Sequence, residues 1–193
     1  MSFPTINLTD NEREIFDLFL EAAREDLPVG AEPLVVRVVG GWVRDKLLGL
    51  ESNDIDIALE ICSGQEFARR VNRVLSRRGG ETHRVGIIAA NPEQSKHLET
   101  ATILVNDVWI DCVNLRTESY ADSSRIPEIR CGTPQEDAVR RDFTINALFF
   151  NINTNQIEDF SGSGLSDIQR RVIRTPLPPI ITFNDDPLRV SLV

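Results

Sequence analysis

Apolar residues recur along this chain at two spacings, and each change of spacing marks a predicted helix or strand. Between residues 10 and 26 they fall on one helical face, and Thr9 with Glu12 has the spacing of a capping box at its start. Short apolar runs bounded by glycine or proline indicate buried strands instead. The first half of the chain is therefore predicted to contain strands at 34–39 and 54–61 and helices at 10–26, 43–48 and 64–77.

The second half has the composition of hairpins followed by a further mixed segment. Strands are predicted at 82–89, 98–105 and 109–113, and Asn106 with Asp107 forms a turn between the last two. Residues 116–130 are polar and show little periodicity, which is typical of a long mobile loop.

Helix-start signals recur toward the C-terminus. Thr133 has proline after it and glutamate three residues later, the signature of a capped helix. A stretch that combines helix and strand patterns follows at 142–174, then an extended segment at 175–179 and a helix start at Asp185. Strands interleaved with helices, joined by hairpins and crossovers, indicate an α+β (α/β) fold with a mixed β-sheet flanked by helices.

Composition narrows the class of protein. The 193 residues are 41% hydrophobic, and no apolar run approaches membrane-spanning length, so we expect no membrane partner. Cys62, Cys112 and Cys131 lie far apart without metal-ligand spacing, which favours reduced thiols. The first residues resemble neither a signal peptide nor a clear transit peptide. The sequence therefore predicts a cytoplasmic or nuclear protein and leaves a mitochondrial pool open.

The net charge is −9, with 30 acidic against 21 basic residues. Nucleic-acid backbones are bound chiefly by lysine and arginine. A domain of this charge is therefore not expected to grip nucleic acid by itself, although an acidic metal site can act on a nucleic-acid end that other parts hold.

Asp54 and Asp56 are the first candidate site. Side chains two residues apart on a strand project to the same face, so this pair would project together while Ile55 and Ile57 face away. Mg²⁺ binds a few carboxylate oxygens together with substrate phosphates, which this pair suits. A solvated strand edge is the alternative. Asp111, on a later predicted strand, is either a third carboxylate of the same site or a plain polar strand position.

Gly40 and Gly41 directly follow the first predicted strand. Glycine permits the dihedral angles of a tight turn, so the backbone here can form a cradle for a polyphosphate. A plain strand-ending turn is the commoner explanation of an isolated Gly-Gly pair. Followed so soon by the two carboxylates, the pair predicts a polyphosphate held against a divalent metal.

Two further groups of side chains carry binding chemistry. Arg141, Asp142 and Asn146 combine a guanidinium group, which matches phosphate bidentately, with acceptors for a ribose hydroxyl; a salt-bridged helix end is the alternative. Near the C-terminus, Asp186 and Arg189 lie one helical turn apart and offer an acceptor and a donor to the Watson–Crick edge of a base. Ordinary helix capping explains the acid but not the arginine.

Taken in order, these motifs resemble the class II nucleotidyltransferases, which comprise the CCA-adding tRNA nucleotidyltransferases and the bacterial-type poly(A) polymerases. The motifs are Gly-Gly-x-x-Arg-Asp from 40, Asp-x-Asp from 54, Arg-Arg-Asp-Phe-Thr-Ile-Asn-Ala-Leu from 140 and Asp-Asp-Pro-Leu-Arg from 185. Segments at 91–102, 125–127 and 174–178 resemble the eukaryotic enzymes of fungal and plant type. The resemblance extends from about residue 34 to 190.

The resemblance implies an enzyme that adds CCA to the tRNA 3′ end. It would transfer CMP and AMP from CTP and ATP to the 3′-hydroxyl by a two-metal mechanism. Asp54 and Asp56 would hold two Mg²⁺ ions, and Asp111 would be the third catalytic carboxylate.

The resemblance also implies a nucleotide site. Gly41 and Arg44 would bind the triphosphate, with Gly40 beside them. The residues that would hold ribose and phosphate are Arg141, Asp142 and Asn146.

Base selection would fall to Asp186 and Arg189, which in the family act as a protein template that hydrogen-bonds CTP or ATP. A flexible loop takes part in switching from C to A addition. Its counterparts here are Arg116, Glu118, Tyr120 and Arg125.

The chain departs from the family pattern near its end, where Leu192 stands in place of a second arginine. We expect an N-terminal helix and linker at 1–33, a catalytic head at 34–174, and a linker with the truncated start of the helical neck at 175–193. The tRNA-gripping helices would then be missing, and activity impaired. The alternatives are a relative that adds only CC, only A or poly(A), a non-catalytic nucleotide-binding fragment, and a subunit completed by a partner chain carrying the neck and body.

Overall fold

The computed structural model describes residues 5–82, 85–88, 100–119 and 128–192. The helices are α1 (Asp10–Ala22), α2 (Gly41–Leu47), α3 (Gly64–Arg77), α4 (Pro134–Val139), α5 (Gly164–Arg170) and α6 (Pro179–Asp185), with 3-10 helices at Thr144–Asn146 and Pro187–Leu192. The strands are β1 (Val36–Val39), β2 (Ile55–Leu59), β3 (Gly86–Ile88), β4 (Thr100–Val105), β5 (Val108–Asn114), β6 (Arg116–Ser119), β7 (Glu128–Cys131), β8 (Leu148–Asn151) and β9 (Gln156–Asp159). Over these ranges no helix is both long and apolar enough to span a bilayer.

A seven-stranded sheet organises the molecule, in the order β3-β4-β5-β2-β1-β8-β9. Strands β2 and β5 pair in parallel, and the remaining neighbours pair antiparallel. The parallel pair is connected through α3, whereas β4 and β5 form a hairpin with Asn106 and Asp107 in the left-handed region. The predicted mixed sheet flanked by helices is confirmed.

One face of the sheet carries the main hydrophobic core. Alternate residues of β2, namely Ile55, Ile57 and Leu59, point into it and are almost fully buried. Helices α1 and α3 pack against each other over this face, with Phe19 and Phe67 in an edge-to-face contact at 5.6 Å between ring centroids. The N-terminal helix is thus part of the same core as the sheet.

The opposite face has a smaller apolar cluster, formed by Val39, Ala58, Leu115, Ala138, Ala147 and Phe149. Because side chains alternate along a strand, Asp56 lies on this second face between the buried positions of β2. Strand β5 alternates in the same way, since Ile110 and Cys112 are buried and Trp109 is 62% exposed. The sequence pattern therefore separates one face for the core from another that presents polar groups.

The prediction of a long loop at 116–130 is wrong at both of its ends. Strands β6 and β7 pair there as a separate antiparallel ribbon, with Arg116 opposite Cys131 and Ser119 opposite Glu128. The polar composition concealed these strands because a two-stranded ribbon outside the main sheet has no need of an apolar alternation. Tyr120 and Arg125 lie outside the described residues, as do most of the segment at 91–102 and all of 125–127.

The predicted helix start at 185–189 is confirmed in part: Asp185 ends α6, and a 3-10 helix begins at Pro187, directly after Asp186, whose carboxylate accepts from the Leu188 N–H. Helix α6 begins with Pro179 in its first turn and ends at Asp185, and Asp186 is extended, with φ −144° and ψ 97°. A residue before proline is driven out of the helical region by the proline ring, so Pro187 ends α6 and a 3-10 helix follows. The capping box of α1 is confirmed: Glu12 N–H donates to Thr9 Oγ1, and Thr9 N–H donates to Glu12 Oε2.

Candidate active site

A row of register partners crosses the polar face of the sheet. Asp111 on β5 is paired with Asp56 on β2, Asp56 with Val39 on β1, and Val39 with Phe149 on β8. Register partners on adjacent strands point to the same face, so the two carboxylates are neighbours. Asp54 precedes β2 by one residue and is exposed.

Asp56 is in an environment that disfavours its charge. Burial raises its pKa to about 6, with further contributions from the carboxylates of Asp54 and Asp111, while Arg141 acts in the opposite direction. The carboxylates of Asp54 and Asp111 therefore both lie close enough to Asp56 to disfavour its ionised form. Such a group is stabilised by a cation brought to the same face.

Asp111 is held by a neighbouring strand. The Thr102 hydroxyl on β4 donates to Asp111 Oδ1 at 2.5 Å, and the two residues are register partners. Within the ranges that the structure describes, no three acidic, histidine or cysteine side chains form a ready metal-ligand set. The protein thus offers a small number of carboxylates on an open face, which differs from a closed metal cage.

Strand β1 ends in a glycine turn beside these carboxylates. Gly40 has φ 78° and ψ −138°, a conformation that side-chain-bearing residues rarely adopt. A Cβ at Gly40 would lie 3.3 Å from Arg141 Nη1, and one at Gly41 would lie 3.5 Å from Arg44 Nη2. The absence of side chains at this turn lets two guanidinium groups approach the backbone.

A chain of polar contacts connects the turn to the predicted ribose-binding residues. Arg44 Nη1 donates to Asn146 Oδ1 at 2.7 Å, and Asn146 Nδ2 donates to both carboxylate oxygens of Asp142, at 3.2 and 3.0 Å. Asp45 accepts from Arg44 Nε at 2.8 Å. Residues separated by about a hundred positions in sequence are therefore brought into one network.

Arg141 is positioned by a residue that the sequence analysis did not single out. Asp137, on α4 and almost fully buried, accepts from Arg141 Nε at 2.9 Å and from Arg140 Nε at 3.0 Å. The Arg141 guanidinium lies 5.5 Å from the centroid of the Phe149 ring, over the row of register partners. The i, i+3 and i, i+4 spacing of one acid to two arginines on a capped helix is the signal that could have found Asp137.

Asp186 and Arg189 lie at the C-terminal end of the described chain. Asp186 Oδ1 accepts from the Leu188 N–H at 3.0 Å, and Arg189 Nε lies 3.7 Å from Asp186 Oδ2. Arg189 also reaches the Thr182 carbonyl on α6 at 3.5 Å. The two predicted base-reading side chains are thus adjacent to each other, in a segment separate from the sheet.

The site therefore combines carboxylates on one sheet face, a glycine turn and two arginines tied to an amide and a carboxylate. The family model of the poly(A) polymerase head domain matches residues 36–174 of this chain. The matched segment includes the carboxylates, the glycine turn and the polar network. The chain belongs to the poly(A) polymerase head domain family.

Individual relatives of this head domain are CCA-adding enzymes. The chain is 52% identical, over 97% of its length, to the mitochondrial CCA tRNA nucleotidyltransferase of Candida glabrata. Among solved structures, it is similar to the Thermotoga maritima CCA-adding enzyme complexed with tRNA, at 28% identity over 95% of this chain and 36% of that one, with a TM-score of 0.67. It is also similar to a CCA-adding enzyme in complex with CTP, at 29% identity over 95% of this chain and 36% of that one, with a TM-score of 0.65.

The head domain is only part of these relatives. The chain spans 36% of the length of the Candida glabrata enzyme, and between 16% and 40% of the length of other curated relatives that it resembles. The shared part is therefore the family's nucleotidyltransferase head.

Proposed function

We propose that this chain is the head of a tRNA CCA-adding nucleotidyltransferase, which transfers CMP and AMP from CTP and ATP to a tRNA 3′-hydroxyl. The observation that carries the proposal is the pairing of Asp56 with Asp111 beside the Gly40 turn, because it sets carboxylates next to a backbone that two arginines approach. The CCA-adding relatives, including those solved with tRNA and with CTP, support the same substrates.

The donors of the sheet face fit divalent metal. Asp54 and Asp56 are hard oxygen ligands, and the raised pKa of Asp56 reflects a buried acidic group without enough positive charge around it. Mg²⁺ suits such a site because it takes one or two carboxylates and completes its shell with phosphate and water. When bound, two Mg²⁺ ions supply the Lewis acidity that activates the attacking hydroxyl and neutralises the departing pyrophosphate. Asp111 is the proposed third carboxylate.

The glycine turn and arginines would hold the triphosphate. Gly40 and Gly41 leave the backbone accessible, and Arg44 presents its guanidinium beside them. Arg141, held by Asp137, adds a second positive charge close to Asp56. These groups orient the α-phosphorus for in-line attack and stabilise the charge of the pyrophosphate as it leaves.

Ribose and base recognition would be divided between two segments. Asp142 and Asn146 offer acceptors and a donor for the ribose, and their mutual hydrogen bonds keep both side chains in fixed orientations. Asp186 and Arg189 would select cytosine or adenine by hydrogen bonding its edge, as a protein template. The region that begins with β6, including Arg116 and Glu118, would take part in the switch from C to A addition.

We propose a role for each of three segments of the chain. Residues 34–174 act as the catalytic head, 1–33 supply the N-terminal helix and linker, and 175–193 lead toward a neck. The grip on tRNA would come from parts of the enzyme that this acidic head does not contain. A location in the cytoplasm or nucleus, with a mitochondrial pool, is proposed; the name of the Candida glabrata relative supports the mitochondrial pool.

Primer extension tests the proposal. Transcripts ending before CCA, after C and after CC are incubated with the purified chain, Mg²⁺ and either CTP or ATP. Incorporation of both nucleotides supports CCA addition, and incorporation of one identifies a CC-adding or A-adding relative. Activity that survives the Asp54→Ala, Asp56→Ala double substitution contradicts the metal assignment. Mg²⁺-dependent binding of CTP without incorporation supports a head that requires further domains or a partner chain for turnover.

A further inference from the structure

Helix α1 carries a buried carboxylate that contacts the helix bearing the phosphate-binding residues. Glu12 Oε1 lies 2.8 Å from Lys46 Nζ and accepts from Trp42 Nε1 at 3.1 Å, and both partners are on α2. The side chains of Lys46 and Glu12 are only 6% and 8% exposed. The second carboxylate oxygen accepts from the Thr9 N–H, so both oxygens of this acid have partners.

These contacts join the core to the nucleotide-binding side of α2. Trp42 and Lys46 are four residues apart and lie on one face of α2, whereas Arg44, between them, points away to Asn146. The Trp42 ring also contacts Phe16 of α1 at 5.7 Å between centroids and Phe150 of β8 at 5.8 Å. One face of α2 is therefore anchored while the other presents a guanidinium group to the site.

Helix α2 needs such an anchor. It contains seven residues, and a helix this short has little stability of its own, so its orientation is set by its tertiary contacts. A buried ion pair is a poor source of net stability compared with apolar packing, but it requires a defined geometry.

The same pair borders the segment that leads into the carboxylates. Glu12 and Lys46 line a narrow cleft of about 40 Å³ together with Ser52, Asn53 and Ile55. The Asp54 N–H donates to Ser52 Oγ at 3.4 Å, within this segment. A displacement of the Glu12–Lys46 pair would be transmitted to the glycine turn through α2. It would be transmitted to Asp54 through residues 52–53.

We propose that Glu12 is a positioning residue of the nucleotide site, which acts through Lys46 and Trp42 to orient Gly41 and Arg44. It lies outside the 36–174 segment that defines the family match. The inference rests on the proposed function for its binding consequence, but the positioning of α2 is measurable without a nucleotide.

Four variants of the full chain test it. Glu12→Gln retains a capping side chain at this position and leaves the Lys46 charge buried without its partner. Lys46→Met removes the ammonium group and retains the apolar stem, and the double variant removes both charges. Thr9→Ala is the matched control, because it weakens the cap of the same helix and leaves the Glu12–Lys46 pair in place.

Two measurements are made on each variant: amide hydrogen exchange without ligand, and the dissociation constant for CTP with Mg²⁺. We expect Glu12→Gln to speed exchange of the α2 amides and to weaken CTP binding, each by about tenfold, whereas Thr9→Ala lowers the melting temperature without either change. The double variant should bind CTP no more weakly than the worse single variant, because the two residues act as a unit.

The outcomes separate the two proposals. If exchange in α2 is the same in Glu12→Gln and Thr9→Ala, or if binding follows stability alone, Glu12 is structural and the positioning proposal is overturned. If the wild-type chain does not bind CTP, the proposed function fails, and the exchange data still decide the role of Glu12. If Glu12→Gln does not fold, Lys46→Met gives the same comparison from the other side of the pair.

Discussion

Asp56 and Asp111 are register partners on two adjacent parallel strands, and their carboxylates share one face of the sheet. Each lies between buried apolar residues of its own strand, so neither can turn away from the other. Two carboxylates held close together at half-buried positions repel each other unless a cation binds between them.

We predict that Asp56→Asn lowers nucleotide incorporation by at least about a hundredfold without lowering the melting temperature of the metal-free protein. The substitution removes a proposed metal ligand, but it also removes a buried charge and its repulsion from Asp54 and Asp111. Primer extension and thermal unfolding in EDTA measure the two effects. Asp107→Asn, in the exposed β4–β5 turn, is the matched control and should change neither. A strongly destabilised Asp56→Asn would show that the carboxylate has a structural role instead.

Gly40→Ala is predicted to destabilise the fold by roughly 1–3 kcal/mol and to weaken triphosphate binding. The new Cβ meets both an unfavourable backbone conformation and the Arg141 guanidinium at 3.3 Å. Gly49→Ala is the comparison, because Gly49 also has a positive φ, of 75°, but an added Cβ there meets nothing within 4 Å. Urea unfolding gives the stability of both variants, and titration with CTP gives their affinity. Equal losses of affinity in the two variants would refute a specific role for the Gly40 turn.

Asn146→Ala should weaken binding of both CTP and ATP by about tenfold, since it deletes hydrogen bonds to the charged groups of Arg44 and Asp142. The loss should be similar for the two nucleotides because ribose and phosphate are common to both. Dissociation constants from calorimetry provide the measurement, with Asn11→Ala on the exposed side of α1 as the control. Discrimination between the two nucleotides in this variant would instead indicate that Asn146 takes part in base selection.

The contribution of the Asp137 carboxylate to the stability of the fold is expected to depend on pH. Burial disfavours its charge, but Arg141 and Arg140 outweigh burial and lower its pKa below the ordinary value of 3.8. Because the folded state holds this proton more weakly than the unfolded state, the contribution to stability is present above pH 3.8. It is lost as pH falls through the lower folded pKa.

Asp137→Asn removes this contribution, and we expect it to cost about 2 kcal/mol of unfolding free energy at pH 7. Urea unfolding of wild type and variant between pH 3 and 7 should show a difference that shrinks at the acid end. A difference independent of pH would mean that packing, and not the ion pairs with the arginines, accounts for the cost.

Local patterns predicted most of the regular elements. The capping boxes of α1 and α4, the alternation along β2 and the turn at Asn106 and Asp107 are properties of a few consecutive residues, and the structure confirms each. The predictions failed where tertiary context decides. Residues of β6 and β7 carry no strand pattern because their ribbon stands outside the sheet, and α6 begins at a proline that was assigned to an extended segment.

For the candidate site as well, some features are predicted from the sequence and others are decided only by the tertiary structure. The residue types and their order along the chain predict a carboxylate site, a phosphate-binding turn and a base-reading pair. They do so because the binding chemistry of glycine, aspartate and arginine depends on residue type and spacing, which the sequence contains. The partners of these residues came only from the fold: Asp56 meets Asp111 through strand register, Arg44 meets Asn146 across 102 positions, and Arg141 is held by Asp137. The sequence predicts Glu12 only as a helix-capping residue, whereas in the fold it is also a buried partner of Lys46. A sequence encodes periodicity and local capping, whereas contacts between distant segments arise only when packing brings their strands and helices together.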